Sequence, residues 1–561
     1  MKNNTLFNVA VFVFFLAVYV IFSNQRITTS MDVDVLRYAS EYVETGNYGS
    51  EYKIASGVAY SPKTGMFYPQ EGIGIVVPLS VFVYLSNIIN PESQFVIFTF
   101  NQFFSALAVL FVFLILSMFM PKKKAFFYTA LFGLGTPLFV HSKYLLPEPV
   151  TLFSIISALY FMLKFRRTGK PVLVFLSGLS AGYSLLTRPD APIFAGIFFI
   201  LAVYVSFRTD KIRLMKNSLF LIAGYSIFTF VFFVSNYQRY GSVLETGYTL
   251  DRKTVISSLE RDIPLIYDKA VKAYQADQSS EETALYVNKY QSMQKFLEDQ
   301  NKIIKDIGDK NTNFYSSGPA NFFYGLYLIF ISPNRSILFI SPFLIMLIIG
   351  IPLILKKYKI EFILVSTIFS GYLILYALRA PLSYAGSGAW GIRYMLPVYP
   401  LIFLSVIFFD RSELFRNKAV KYTFYALCVI SFIFQIIGSS VNYQSVQMPL
   451  EYKCKKIYGE ADMTWAHESR LSMMTDFSSS LLLNNSRILT GSLTDEQSEY
   501  GVETGPNDWF FWQVIKGEGQ LVNGKERSMG NFKVLLFLLI VSAAGSLYYI
   551  FKSDIMKPIK K

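Results

Sequence analysis

Apolar runs of about 16 to 25 residues recur along almost the whole chain, and short basic segments separate them. A helix needs roughly 20 consecutive apolar residues to cross the hydrocarbon core of a bilayer. The 561-residue chain is 53% hydrophobic, so it has enough apolar sequence for many such helices. The pattern predicts an all-α polytopic membrane protein and not a set of soluble domains.

We predict about twelve crossings from runs of the required length. The first run, Leu6 to Phe22, resembles a signal peptide, but no small-x-small cleavage site follows it, which indicates a retained signal anchor. The predicted crossings are 5–22, 96–120, 125–141, 148–164, 171–187, 191–207, 217–235, 336–355, 360–378, 394–409, 421–440 and 532–551.

The formal net charge of +14 is spread over the short segments between the apolar runs. The positive-inside rule explains this distribution better than nucleic-acid binding does. We assign the basic segments to the cytoplasm, which places both termini there and the large loops on the outer face. These segments are Lys2, 122–124, 164–170, 208–216, 356–359, 411–421 and 552–561, and they hold 23 of the 52 Lys and Arg residues.

One apolar segment, Gly72 to Ile89, does not fit this alternation. If it crossed the membrane, the basic turn 122–124 and every later loop would change sides. We therefore predict a re-entrant or interfacial helix on the outer face, about 72–89. Pro78 and the two glycines Gly72 and Gly74 are typical of an interrupted element.

Three large loops are predicted outside the membrane. The first covers 23–95, the second covers 236–335, and the third covers 441–531. The middle of the second loop, about 252–312, is charged and shows helical periodicity, as in Tyr286 to Leu297. The predicted domains are a transmembrane domain at 1–440 with about 12 helices, a small mixed outer subdomain at 441–531, and a last helix with a basic tail at 532–561.

Acidic and basic residues converge where the predicted crossings reach the outer face. A long side chain at such a place is often only an interfacial anchor. Asp34 is a stronger functional candidate, because a short acid has no apolar stem and is costly to keep near lipid. The charged residues predicted to converge at the outer face are Asp32, Asp34, Arg37, Lys63, Glu71, Lys143, Glu148, Arg188, Asp190, Arg239, Glu245, Arg335 and Arg393.

The sequence has no dinucleotide-binding fingerprint and no P-loop, which argues against a soluble nucleotide donor. Two cysteines and two histidines, far apart, exclude a disulfide framework and a histidine-rich metal centre. The chemistry that fits acids and cations at a membrane face is attack by a hydroxyl on a lipid-phosphate-linked sugar. This reaction needs a carboxylate base and cations that stabilise the departing phosphate.

The block Asp34-Val-Leu-Arg-Tyr38 resembles the Asp-x-x-Arg-Tyr motif of GT-C type membrane glycosyltransferases, which include protein O-mannosyltransferases and lipid A aminoarabinose transferases. Further blocks follow in the same order, and together they span roughly residues 5 to 410. They are Phe67 to Gly74, Gly178 to Pro189, Tyr240 to Tyr248, Ser332 to Pro342, and Trp390 to Pro397.

The resemblance implies a role for each matching residue. Asp34 would be the catalytic base and Glu148 a second acid at the site. Candidates for the donor phosphate and sugar are Arg37, Tyr38, Lys63, Arg188, Arg335 and Arg393. Asp32, Glu71 and Lys143 would bind the acceptor or tune the base.

The chain departs from these relatives at two places. Tyr68-Pro-Gln70 stands where the aminoarabinose transferases have Lys-Pro-Pro, and Ser336 replaces a glycine. No cofactor is expected. A divalent metal could bridge Asp34 and the donor phosphate, but no ligand spacing requires one.

The sequence thus predicts an inverting glycosyltransferase that moves a sugar from a polyprenyl-phosphate donor to a glycan, lipid or protein acceptor. The site would lie on the outer, periplasmic face of the plasma (inner) membrane. A lipid-linked-sugar flippase or transporter is the alternative, but a carrier should hold charges at mid-span. An O-antigen-ligase-like oligosaccharide transferase also stays open, whereas the absence of a WWDYG-like block argues against an oligosaccharyltransferase.

Cysteine labelling tests the predicted topology. In a variant without Cys428 and Cys454, an impermeant maleimide added outside should label Lys63→Cys and Ser280→Cys but not Lys123→Cys. Labelling of Lys123→Cys from outside would show that 72–89 crosses the membrane, because it would invert the sides of all later loops.

Overall fold

A computed structural model describes most of the transmembrane region and parts of the loops. The described residues are 2–25, 27, 30–51, 53, 58–70, 72–89, 94–188, 193, 196, 211–247, 249–250, 252–309, 319–333, 335–349, 359–378, 390–441, 446, 480–494, 497–498, 509–516, 519–522, 525–528 and 532–552.

The first half is helical apart from one small antiparallel hairpin, in which Val58 pairs with Pro69 and Tyr60 with Phe67. Its elements are α1 Lys2–Ile21, α2 Ser30–Thr45, β1 Val58–Tyr60, β2 Phe67–Pro69, α3 Ile73–Ile89, α4 Phe95–Leu116, α5 Lys122–Gly135, α6 Leu138–His141, α7 Pro147–Thr168, α8 Pro171–Thr187, α9 Lys211–Tyr240, α10 Arg252–Ala276 and α11 Glu281–Asp309.

The second half has shorter helices and a second two-stranded hairpin. Its elements are α12 Pro319–Phe330, α13 Ile337–Ile340, α14 Leu344–Ile349, α15 Lys359–Leu378, a 3₁₀ helix Arg393–Val398, α16 Tyr399–Phe403, α17 Val406–Phe409, α18 Glu413–Arg416, α19 Lys418–Ser440, α20 Leu481–Thr490, α21 Phe510–Lys516, β3 Gly519–Val522, β4 Lys525–Ser528 and α22 Lys533–Lys552.

Five helices of the described part are long and apolar enough to cross a membrane: α4, α7, Met215–Tyr240 within α9, α19 and α22. Shorter apolar helices accompany them at Thr5–Ile21, Ile73–Ile89, Pro171–Thr187, Ser366–Leu378 and Arg393–Phe409. The helical class and the multi-pass membrane character predicted from the sequence are thus confirmed. The predicted crossing 191–207 lies almost entirely outside the described residues.

Three predicted crossings are not single α-helices in the described residues. The run 125–141 breaks after Gly135, where Thr136 is extended and Pro137 follows, because proline disfavours a helical residue before it. The run 336–355 breaks between α13 and α14, where Pro342 lies. The run 394–409 consists of a 3₁₀ helix and two short α-helices, with Pro397 inside the 3₁₀ helix.

The segment Gly72 to Ile89 is not interrupted, in contrast to the prediction. It forms the continuous helix α3 with Pro78 inside. Proline has no N–H for the carbonyl four residues earlier, which is that of Gly74. The hydroxyl of Tyr183 on α8 donates to this carbonyl at 2.6 Å, so a tertiary hydrogen bond replaces the missing backbone one.

Glycines allow α8 and α9 to pack with their backbones in close contact. A Cβ atom on Gly178 would lie 2.2 Å from the carbonyl oxygen of Leu221, and one on Gly224 would lie 2.1 Å from that of Phe175. Both distances are far inside van der Waals contact. The two glycines of the block Gly178 to Pro189, Gly178 and Gly182, therefore serve helix packing, as small residues do in membrane bundles.

The charged insert forms an antiparallel helical hairpin, α10 and α11, as its periodicity predicted. The hairpin packs on the first loop through an apolar cluster that includes Val35, Leu259 and Phe296. Polar contacts add to it. Lys289 pairs with Glu51 at 3.0 Å.

The phenol of Tyr60 also holds the hairpin, donating to Asp262 Oδ2 at 2.8 Å. Burial, together with this hydrogen bond, raises the pKa of Tyr60 well above its ordinary value. The phenol therefore stays protonated and remains a donor across the physiological pH range. Strand β1 and helix α10 are tied together as a result.

The segment 441–531 is described only in part, and that part holds helices α20 and α21 and the hairpin β3–β4. It is connected to the membrane helices. The backbone N–H of Phe510 donates to the carbonyl of Ser23 at 2.6 Å, and the indole of Trp509 donates to Ser439 Oγ at 3.1 Å. Helix α22 packs along α1.

Replacement of Gly224 by alanine tests the α8–α9 contact. We expect Gly224→Ala to destabilise the protein by about 1–3 kcal/mol, the usual cost of overpacking. The measurement is the unfolding temperature in detergent. Gly545→Ala in α22 is the matched control, because nothing lies within 4 Å of its Cβ position. Equal stability of the two variants would contradict the close approach.

Candidate functional site

The turn between α6 and α7 is fastened to two other parts of the chain. Asp32 on α2 is fully buried, and its Oδ1 accepts the backbone N–H of Leu145 at 2.8 Å. Asn101 on α4 donates from Nδ2 to the carbonyls of Tyr144 and, at 2.8 Å, Leu146. Because Glu148 follows this turn directly, α2 is anchored next to the start of α7.

The Asp-x-x-Arg-Tyr motif divides between two faces of α2. Asp34 is only 4% exposed and Tyr38, one turn later, is fully buried. Arg37 is exposed and lines a cavity on the neighbouring face of the helix. Asp32 and Asp34 are two residues apart, so their side chains leave the helix about 200° apart and lie in different surroundings.

Glu148, Arg188 and Arg393 form one buried charged cluster. Glu148 lies in the first turn of α7, where a negative charge is favoured by the helix dipole. Its Oε1 accepts from Arg188 Nη1 and lies 3.1 Å from Arg393 Nε. All three residues are at most 5% exposed. The structure therefore brings together three residues that the sequence placed at three separate helix ends.

Two aromatic rings complete this cluster. Arg188 Nη2 donates to the hydroxyl of Tyr376 at 3.1 Å. The ring of Tyr376 stacks on Tyr394 at 5.2 Å, and both guanidinium groups lie over Tyr394, at 4.7 and 5.1 Å from its centroid. Cation–π contacts of this kind orient an arginine without neutralising its charge.

Among the described residues, the charged cluster contains two guanidinium groups and one carboxylate. Glu148 Oε2 has no hydrogen-bond partner among the residues that the structure describes. A buried carboxylate oxygen without a partner is costly. A hydroxyl group of a bound ligand would satisfy this acceptor atom.

A second group of cations lies beside the end of α9. Lys63 donates from Nζ to the carbonyl of Tyr237 at 2.6 Å and lies 4.2 Å from the centroid of that ring. Arg239 donates to Asn236 Oδ1 at 2.7 Å. A small cavity of about 20 Å³ is lined by Arg239 and Arg188, among others, so it joins this group to the charged cluster.

Other predicted residues lie elsewhere. Lys143 is buried and donates to the carbonyls of Ser439 and Val441, at 2.9 and 3.3 Å, so it ties a turn to the end of α19. Arg335 is buried next to Ser336, the residue that caps α13. Glu71, Asp190 and Tyr248 lie outside the described residues.

Sequence reasoning missed a polar network that holds the segment before Arg393. His141 Nε2 lies 2.8 Å from the carbonyl of Trp390, and the indole of Trp390 donates to Gln435 Oε1 at 3.1 Å. Gln435 donates in turn to the carbonyl of Ile340 at 3.0 Å. Gln435 is a polar residue inside an apolar run, and this was the only sequence signal for it.

Within the described part of the chain, no group of three or more His, Cys, Asp or Glu side chains is arranged to hold a metal ion. Some predicted residues lie outside that part, so the finding concerns the described residues alone.

No protein-family model and no curated protein matches the chain. Among solved structures it is similar to the archaeal oligosaccharyltransferase AglB from Archaeoglobus fulgidus, with 16% identity and a TM-score of 0.45. The match covers 82% of this chain and 60% of that one. The chain therefore spans less than two thirds of the length of AglB.

Two further structures are similar over comparable lengths of this chain. The arabinosyltransferase EmbB from Mycobacterium smegmatis matches with 10% identity over 84% of this chain and 42% of that one, with a TM-score of 0.34. ArnT from Cupriavidus metallidurans matches with 11% identity over 82% of this chain and 83% of that one, with a TM-score of 0.32. All three are GT-C glycosyltransferases, the type that the sequence blocks resemble.

Glu148→Gln tests the charged cluster. Without the carboxylate, two buried guanidinium groups lose their counterion, and we expect a loss of about 3–5 kcal/mol. The unfolding temperature in detergent measures it, with the exposed Glu413→Gln as matched control. Adding Arg393→Met should restore part of the loss, because the two residues are coupled. Strictly additive losses would show that they are not.

Proposed function

We propose that the chain is an inverting glycosyltransferase that transfers a sugar from a polyprenyl-phosphate donor to an acceptor hydroxyl. The observation that supports it most is the charged cluster: two buried guanidinium groups on one buried carboxylate, formed at the ends of membrane helices, next to a helix that presents a buried aspartate. The block order in the sequence supports the same reaction.

The two arginines are assigned to the donor. Arg188 and Arg393 are oriented by Tyr376 and Tyr394 and share a single carboxylate. A guanidinium group binds phosphate oxygens with two parallel hydrogen bonds. Glu148 keeps both guanidinium groups in place when no donor is bound, and the negative charge that develops on the departing phosphate then finds a cationic site already arranged.

Asp34 is assigned as the general base. In the proposed step the acceptor oxygen attacks the anomeric carbon, the bond to the phosphate oxygen breaks, and Asp34 accepts the hydroxyl proton. One base is sufficient, because attack and departure occur on opposite faces of the sugar. Such a base contributes roughly 10²- to 10⁴-fold to the rate.

The site is proposed to lie on the outer face of the plasma membrane, with both termini in the cytoplasm. The distribution of basic residues supports this orientation. Of the second cation group, Lys63 and Arg239, the latter lines the small cavity that Arg188 also lines, on the side of α9. We assign it to guiding the donor phosphate from the bilayer to the charged cluster.

The alternative function is a lipid-linked-sugar carrier. A carrier that moves a polar headgroup across the membrane needs charged or polar sites near the bilayer midplane. The charged residues of α7, α9, α19 and α22 lie within two turns of a helix end, and α4 and α8 contain none. Their placement favours chemistry at one face over transport through the centre.

Asp34→Asn tests the assignment of the base. Purified protein in nanodiscs is given radiolabelled polyprenyl-phosphate sugars and a panel of glycan, lipid and peptide acceptors. We expect the variant to transfer about 10²- to 10⁴-fold more slowly than the wild type. Asp268→Asn, an exposed residue of α10, is the matched control and should keep the wild-type rate.

A near wild-type rate for Asp34→Asn, with unchanged thermal stability, would refute the role of Asp34. Movement of labelled donor across liposome membranes, with no transfer to any acceptor, would support the carrier instead. Transfer of whole oligosaccharides in preference to single sugars would favour the ligase-like alternative.

A further inference from the structure

A polar groove of about 730 Å³ lies between α2 and the helical hairpin. Volumes of this size are typical of ligand sites. Its two walls carry polar side chains: Ser40, Glu41 and Glu44 from α2, and Asn288, Gln291 and Ser292 from α11. The charged cluster does not border it, so the groove is a separate feature of the fold.

The two walls share one apolar cluster, which contains Val35 and Ala39 of α2 and Met293 and Phe296 of α11, and further contacts join α11 to the first loop. Lys289, next to Asn288, pairs with Glu51 of the first loop at 3.0 Å. Phe296 packs edge-on against Phe67 with the centroids 5.5 Å apart. A groove whose walls are already fixed loses little conformational freedom when a ligand binds.

The groove contains hydrogen-bonding groups that the protein leaves unused. Among the described residues, no side-chain hydrogen bond or ion pair engages Glu41, Glu44, Asn288 or Gln291. Burial and the neighbouring charge of Glu44 raise the pKa of Glu41 above its ordinary value. Hydroxyl donors from a ligand would stabilise that carboxylate.

The composition of the groove indicates the class of ligand. Arg37 and Lys53 at its edge balance Glu41 and Glu44, so the lining has no excess charge to attract a phosphate. Amides, hydroxyls and carboxylates together supply both donors and acceptors. A polyhydroxylated, uncharged ligand offers the matching set.

Asp34 is buried and does not line the groove, but the stripe of α2 on which it lies continues into the groove. Glu41 lies two turns after Asp34 on the same stripe of α2, since seven residues are nearly two full turns. Glu44 is ten residues from Asp34, about 15 Å along the helix axis. A ligand that fills the groove and also reaches Asp34 must be longer than a single sugar ring.

We propose that the groove binds the acceptor as an oligosaccharide. The sugar units that do not react lie between α2 and α11, and the terminal hydroxyl reaches Asp34. This inference rests on the proposed function and selects a glycan from the acceptors that it leaves open. The charged hairpin thereby gains a role as one wall of the acceptor site.

The test uses the full-length protein in nanodiscs and a panel of uncharged hexose and pentose oligosaccharides, from disaccharides to hexasaccharides. Saturation-transfer NMR measures their binding without any donor. We expect Asn288→Trp to fill the groove and weaken binding at least about tenfold, a cost of 1.4 kcal/mol or more. Gln275→Trp, an exposed amide of α10 outside the groove, should bind as the wild type does.

The absence of binding by the wild type, or equal binding by Asn288→Trp, would overturn the inference. The binding assay needs no donor, so its result is separate from that of the proposed function. If oligosaccharides bind at the groove but no donor sugar is ever transferred, glycan binding by the groove is supported and the transferase proposal fails. If transfer proceeds equally in both tryptophan variants, the transferase proposal stands and the groove is not the acceptor site.

Discussion

The ion pairing of one carboxylate with two guanidinium groups determines how three helix ends meet. Glu148, Arg188 and Arg393 begin α7, end α8 and begin the 3₁₀ helix, and they are separated by about 40 to 250 residues in the chain. Buried charges are stable only when they are paired. Each helix end must therefore stay within reach of the other two.

The surrounding packing makes this arrangement possible. Glycine contacts between α8 and α9 bring the backbones together, which positions the end of α8. Asp32 and Asn101 hold the turn before Glu148. The network of Trp390 and Gln435 holds the segment before Arg393. The charged cluster is consequently arranged before any ligand binds, which is the condition for electrostatic stabilisation without reorganisation.

The motif on α2 shows how a single helix can serve two purposes. Its buried face carries Asp34 and Tyr38 towards the protein interior, while the neighbouring face carries Arg37 and Glu44 towards the polar groove. In the proposed enzyme the base and the acceptor groove would share this helix. The helical hairpin would then be part of the acceptor site, although its sequence resembles nothing in the motif series.

The membrane class, the helical hairpin and the concentration of charges at helix ends could be predicted from the sequence, because they depend on local hydrophobicity, periodicity and charge. The order of the short blocks likewise singled out Asp34, Arg188 and Arg393, and the position of Glu148 at the end of a predicted crossing singled out that residue, without any structure. Only tertiary contacts decided whether α3 is continuous and what Asp32 does. Pro78 does not interrupt α3 because Tyr183, 105 residues away, bonds to the carbonyl of Gly74. Asp32, unlike Asp34, holds the turn before α7, because the backbone amide of Leu145 donates to its carboxylate. Such contacts join residues distant in the chain, so no local pattern records them.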